Sequence, residues 1–213
     1  GLSITDENFG RIAGVEAIQT KNGTNYVNLG ATAAGSGLAT LVGGTGSDTI
    51  DATAFSGTTL TIDSDDSADF ITGSSTATNR ILAGAGDDAI TLVGGAVGSA
   101  TLAGGAGTDT LSLAANATLT DANFGTNITD IEVLRAASTG ASSLAVGLKV
   151  QAGGIRTVIG GDANDTLNAA AYTTGMTLNG GIGDDSLVVS TGAILGQSSI
   201  VGGSGTDTLS FAV

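Results

Sequence analysis

The chain has 213 residues and a net charge of −14, from 20 acidic against 6 basic residues, and contains neither cysteine nor histidine. That balance argues against a nucleic-acid partner, and the missing residue types exclude disulfide scaffolding, Ser-His-Asp or Cys-His catalysis and histidine-ligated zinc. Apolar residues make up 41% of the chain and aromatics only 3%, with 36 glycines and no proline, so any core is thin and built from Ala, Val, Ile and Leu.

No leader segment, initiating Met or apolar run of membrane-spanning length is visible, so a mature segment or excised piece without membrane insertion is expected. The first distinctive feature along the chain is Ile4-Thr5-Asp6-Glu7-Asn8-Phe9-Gly10, followed by Val15-Glu16. It returns as Leu119-Thr120-Asp121-Ala122-Asn123-Phe124-Gly125, followed by Ile131-Glu132. Two repeat units of one continuous solenoid are therefore expected, residues 1–116 and 117–213, the second shorter by about one coil.

A shorter period runs inside each unit. Full copies of a turn motif read Gly43-Gly44-Thr45-Gly46-Ser47-Asp48, Gly104-Gly105-Ala106-Gly107-Thr108-Asp109, Gly180-Gly181-Ile182-Gly183-Asp184-Asp185 and Gly202-Gly203-Ser204-Gly205-Thr206-Asp207. Degenerate copies keep Asp66 and Asp69 in 64–69, Gly84, Gly86 and Asp88 in 83–88, and Gly160, Gly161, Asp162 and Asp165 in 160–165. Their final aspartates recur every 19 to 22 residues within each unit. The second residue after each is aliphatic (Ile50, Ile71, Ile90, Leu111, Leu167, Leu187, Leu209), and so is the seventh before it (Leu41, Ile62, Ile81, Leu102, Val158, Leu178, Ile200). Side chains alternate across a strand, so these positions predict two inward ladders flanking the turn. The expected fold is all-β: a parallel β-solenoid with coils of about 20 residues and one Gly/Asp-rich turn per coil.

Of the 17 aspartates, 12 lie inside the seven hexapeptides. Carboxylates concentrated beside glycine-rich backbone suggest a hard-cation site, because Ca²⁺ takes many oxygen ligands from side chains and carbonyls. Paired carboxylates such as Asp65-Asp66, Asp87-Asp88 and Asp184-Asp185 repeat along the chain rather than converging in one cleft, so an enzyme is not expected.

With these turns the chain resembles the RTX (repeats-in-toxin) calcium β-roll family, whose nonapeptide Gly-Gly-x-Gly-x-Asp-x-U-x carries an aliphatic U. The resemblance implies calcium held between stacked turns by the glycines and aspartates named above. It covers the seven turns and is faint over 1–40 and 110–157. The β-roll carries its motif on both edges of a coil of about eighteen residues. Here the opposite edges, such as Ser56-Gly57-Thr58 and Thr173-Thr174-Gly175, lack aspartate, so a one-sided ladder is expected. Slots between adjacent turns (48/69, 69/88, 88/109, 165/185, 185/207) give about five ions. The family further implies a secreted bacterial protein, as in giant adhesins, surface layers and extracellular fibres.

Finally, Leu209-Ser210-Phe211-Ala212-Val213 followed by Gly1-Leu2-Ser3-Ile4-Thr5-Asp6 overlays residues 111–121 without a gap. The expected partner is thus the chain itself, the edge around Phe211 and Val213 meeting that around Leu2 and Ile4, covalently or by subunit stacking into a filament. A cell-surface polysaccharide is a further expected partner. Alternative readings are an ice-binding or adhesive module, against which the uneven outward row containing Phe70 and Ala89 argues, and the secretion-linked segment of a toxin or hydrolase.

Overall fold

The computed structural model describes residues 1–93, 96–125, 127–191 and 195–212; Val213 lies outside them. The chain divides into two compact units, residues 1–110 with 127–130, and residues 111–126 with 131–213. Each unit is a parallel β-solenoid.

In the first unit, strands β1 (Ser3–Ile4), β3 (Tyr26–Asn28), β5 (Thr49–Asp51), β7 (Phe70–Thr72) and β9 (Ala89–Leu92) lie side by side in one sheet. The second sheet runs β13 (Ile128–Thr129), β10 (Thr101–Ala106), β8 (Thr78–Ala85), β6 (Thr59–Asp63), β4 (Thr40–Val42) and β2 (Ala17–Gln19). In the second unit, β11 (Thr110–Leu113, all but its first residue), β14 (Val133–Arg135), β16 (Thr157–Ile159), β18 (Thr177–Ile182) and β20 (Ser199–Ser204) form one row. The other is β12 (Thr118–Leu119), β15 (Ser143–Ala145), β17 (Thr166–Ala169), β19 (Ser186–Ser190) and β21 (Thr208–Ala212). Pairing is parallel and keeps equivalent positions opposite each other, for example Leu41↔Ile62, Ile62↔Ile81 and Ile81↔Leu102.

The strands follow from alternation. Thr-aliphatic-polar segments such as Thr49-Ile50-Asp51 put one β-branched or leucine side chain inward and its neighbours outward. Ile50, Ile71, Ile90, Leu111, Leu167 and Leu187 are buried, as are Leu41, Ile62, Ile81, Leu102, Val158 and Leu178, so both predicted ladders line the interior. The exceptions are in the last strands: Ile200 is half-buried, while Leu209 and Phe211 are exposed. Among the described residues no strand pairs with the outer edges of β20 and β21, and none covers these side chains.

The duplicated segments have a shared structural role. Thr5 and Thr120 each donate a backbone N–H to the side chain of Asn8 or Asn123, closing a short 3-10 turn. The aspartate that follows reaches into the next coil. Asp6 accepts N–H bonds from Gly30, Thr32 and Ala33 at the start of α1 (Ala31–Gly35), and Asp121 from Lys149 and Val150 at the start of α2 (Leu148–Ala152). These carboxylates satisfy donors that a helix cannot pair internally. Burial opposes ionisation of Asp6, but the N–H groups of Ala33, Thr32 and Gly30 outweigh it and hold its carboxyl below the ordinary value.

Candidate metal site

The turn motif sits at the corner between the two sheets of each unit, and its sixth residue points inward. Asp48, Asp69, Asp88, Asp109, Asp165 and Asp185 are at most 2% exposed. Each carboxylate reaches one coil back: Oδ1 of Asp69, Asp88 and Asp109 accepts the backbone N–H of Asp48, Asp69 and Asp88 at 2.7, 2.7 and 2.8 Å. In the second unit Asp185 and Asp207 receive the N–H groups of Asp165 and Asp185 at 2.7 and 3.0 Å. The carbonyl of the same residue accepts from the following coil, as in Phe70 N–H to Asp48 and Ala89 N–H to Asp69. The aspartate thus satisfies a buried donor at the corner.

The ladders begin at two turns that lack aspartate. Asn25 donates both its backbone N–H and its side-chain Nδ2 to Asp48 Oδ1, and Ser142 gives its backbone N–H to Asp165 Oδ1. Turns 20–25 and 137–142 were missed in the sequence because each retains just one motif glycine, Gly23 and Gly140, both at positive φ.

The second carboxylate oxygen is the unusual feature. Oδ2 of Asp48, Asp69, Asp88 and Asp185 is buried without a hydrogen-bond partner. The nearby Ser64 hydroxyl gives its proton to the Ala83 carbonyl at 2.9 Å. In the turns that begin with glycine, Oδ2 of Asp48 and of Asp185 leans over that glycine, whereas the turns ending at Asp69 and Asp88 begin with Ser64 and Ala83. At the position a Cβ on Gly180 would occupy, Asp185 Oδ2 stands 2.3 Å away and the carbonyl oxygen of Gly202, one coil on, 2.4 Å away. Gly160 has the same surroundings, with Gly180 O at 1.9 Å and Asp165 Oδ2 at 2.8 Å. In these two turns a side chain at the first position would fill the cradle of carboxylate and carbonyl oxygen.

Burial, first of all, pushes the Asp69 carboxyl up to about 7. The N–H of Asp48 counteracts it, and the charges of Asp88 and Asp48 reinforce it. Asp88 and Asp185 are raised in the same way, by burial first and with further help from the charges of Asp87, and of Asp165, Asp207 and Asp184, respectively. Uncompensated carboxylates stacked one strand spacing apart need a positive charge or a proton.

A hard dication fits this donor set. Ca²⁺ takes about six to eight oxygens. Among the described residues no three acidic side chains come together tightly enough to hold an ion alone, so backbone carbonyls and water would share the coordination. The inward aspartates and the first-position carbonyls are the residues that would hold it.

The other expected ligands divide. Gly84, Gly105, Gly181 and Gly203 at the second position, and Gly46, Gly86, Gly107, Gly183 and Gly205 at the fourth, all take positive φ and shape the turn. Gly44 and Gly161 lie against the backbone of Lys21 and Ala137 in the preceding coil. Asp66 and Asp162, at the third position, are exposed and stand outside the column, because side chains there point away from the corner. A second, exposed row comes from the fifth position: Asp87 and Asp184 accept the N–H of Thr108 and Thr206 at 2.8 and 2.7 Å.

The 64–69 turn keeps this conformation without glycine, with Asp65 at φ 72° and Ser67 at φ 88°. Ser67→Gly is expected to stabilise the protein by about 1 kcal/mol by removing left-handed strain, raising the midpoint in a thermal melt. Gly46→Ser, the reverse change in an intact turn, should lower it.

No family model, curated protein or solved structure matches the chain.

Proposed function

We propose that the chain is a structural, calcium-stabilised repeat module of a secreted protein, its coils stacked head to tail in a covalent array or between subunits as an extracellular filament or surface layer. The observation that carries this reading is the column of buried aspartates, in which Oδ2 of Asp48, Asp69, Asp88 and Asp185 has no hydrogen-bond partner. Bound calcium would supply the positive charge that the column lacks. The chain's own groups do the rest: each Oδ1 clips one coil to the backbone of the coil before it, and in the turns that begin with glycine that residue leaves room for Oδ2. Resemblance of the turns to RTX repeats supports calcium as the ion and an extracellular setting as its source. Among the described residues no helix is long and apolar enough to cross a membrane.

Head-to-tail continuation is supported by the inward-ladder residues Leu209 and Phe211, which are exposed on a strand whose outer edge pairs with no strand among the described residues. Such an edge is a template for the next coil. Electron microscopy of native material with calcium should show long rods that shorten or fray on chelation. Isolated particles in both conditions would contradict the stacking.

A further inference from the structure

The chain has seven aromatic side chains, five Phe and two Tyr. Phe9, Phe55, Phe124 and Tyr172 are buried, as a thin aliphatic core would have them. Tyr26, Phe70 and Phe211 break that pattern; Phe211 is on β21 of the second unit, while Tyr26 and Phe70, 44% and 62% exposed, share the outer face of one sheet of the first unit. These two are in register: Tyr26 on β3 pairs with Thr49 on β5, which pairs with Phe70 on β7. Two strand spacings separate the rings, roughly 9.5 Å. Beside this row runs a polar one, Asn28, Asp51 and Thr72, in the same register. Its geometry is fixed in advance, since Asn28 Nδ2 donates to Asp51 Oδ2 at 3.3 Å and the Thr53 N–H to Asp51 Oδ1 at 2.9 Å.

We propose that this face binds a neutral, extended β-linked polysaccharide. Sugar rings present apolar C–H faces flanked by hydroxyls. Two exposed rings set about one disaccharide advance apart, with hydroxyl, amide and carboxylate groups alongside, offer both kinds of contact. Charge selects against the other occupants. An acidic glycan would meet Asp51 on a chain of net charge −14, and a second copy laid on this face, unlike one stacked on an open strand edge, would bring like charge against like with no backbone pairing to offset it. The inference requires only the sheet and its register, so it does not depend on the calcium reading.

The test is affinity electrophoresis of the full chain, with calcium present, in gels containing hydroxyethylcellulose, hyaluronate or dextran. It is paired with tyrosine fluorescence during titration with cellohexaose, where exposed Tyr26 is the responsive tyrosine. The expected result is retardation by hydroxyethylcellulose alone, weakened about tenfold by Phe70→Ala or Tyr26→Ala, the scale of one lost ring-stacking contact. Both side chains point outward, so thermal melting of each variant should match the parent. No retardation, retardation that survives the double variant, or equal retardation by hyaluronate would overturn the proposal. A dimer in sedimentation that Phe70→Ala dissolves would also overturn it, by assigning the face to self-association.

Discussion

Gly105→Ala is expected to be among the most damaging single substitutions in the first unit, destabilising it by on the order of 3–5 kcal/mol. Two effects act together there. Gly105 sits at φ 109°, a conformation that L side chains rarely adopt. A methyl group on it would stand 1.8 Å from the carbonyl oxygen of Gly84 in the preceding coil. That oxygen belongs to the backbone of a paired strand, where Gly105 lies opposite Gly84, so relief requires separating the coils. Gly196→Ala provides the control: nothing lies within 4 Å of the added carbon, and its φ is not in the left-handed region. Chemical denaturation of both variants should show a large loss for the first and almost none for the second. A Gly105→Ala protein with the parent's midpoint would mean that the coils do not approach as closely as the structure has them.

Chelation is expected to lower the melting temperature by more than about 10 °C near neutral pH, because several ions bound to the folded state each add to its stability. The pH dependence of the chelated protein follows from the aspartate column. The Asp69 carboxyl rises from 3.8 in the unfolded chain to about 7, and Asp88 and Asp185 move in the same direction. The folded state therefore holds a proton that the unfolded state releases above about 4. Stability from this source is complete below the unfolded value and is lost as pH rises through about 7. The ion-free protein should thus melt higher at about pH 5 than at about pH 8. Calcium should close that gap by stabilising most at the alkaline end, since protons and calcium compete for the same oxygens. A chelated protein that melts higher at the alkaline end would show that the column is not buried as described.

Much of the fold was legible because a solenoid writes its contacts into a period. Ile50, Ile71 and Ile90 recur at fixed distance from an aspartate, so inward direction and register both follow from one interval. Burial of the aspartates follows from the same parity, each lying two residues before an inward aliphatic. Parity also explains Asp66 and Asp162, which share the turn's composition but stand at its outward third position. The turns ending at Asn25 and Ser142 were hidden because they keep one motif glycine each and join the ladder through a backbone N–H, which any residue other than proline has, to which Asn25 adds its side-chain amide. Asp6 and Asp121 marked the long repeat, yet their work of holding a helix start 24 to 29 residues away depends on how coils stack. Exposure of Leu209 and Phe211 depends on whether another coil lies over them, which no ladder position records.

Equilibrium dialysis with radioactive calcium, which counts ions per chain, tests most directly whether the buried aspartates hold calcium. The account predicts about five, one for each space between consecutive aspartate turns, with the number falling in Asp88→Ala, which borders two of those spaces. Less than one ion per chain near neutral pH, in a protein that stays folded, would contradict it, leaving the column to be held by protons and backbone N–H groups alone.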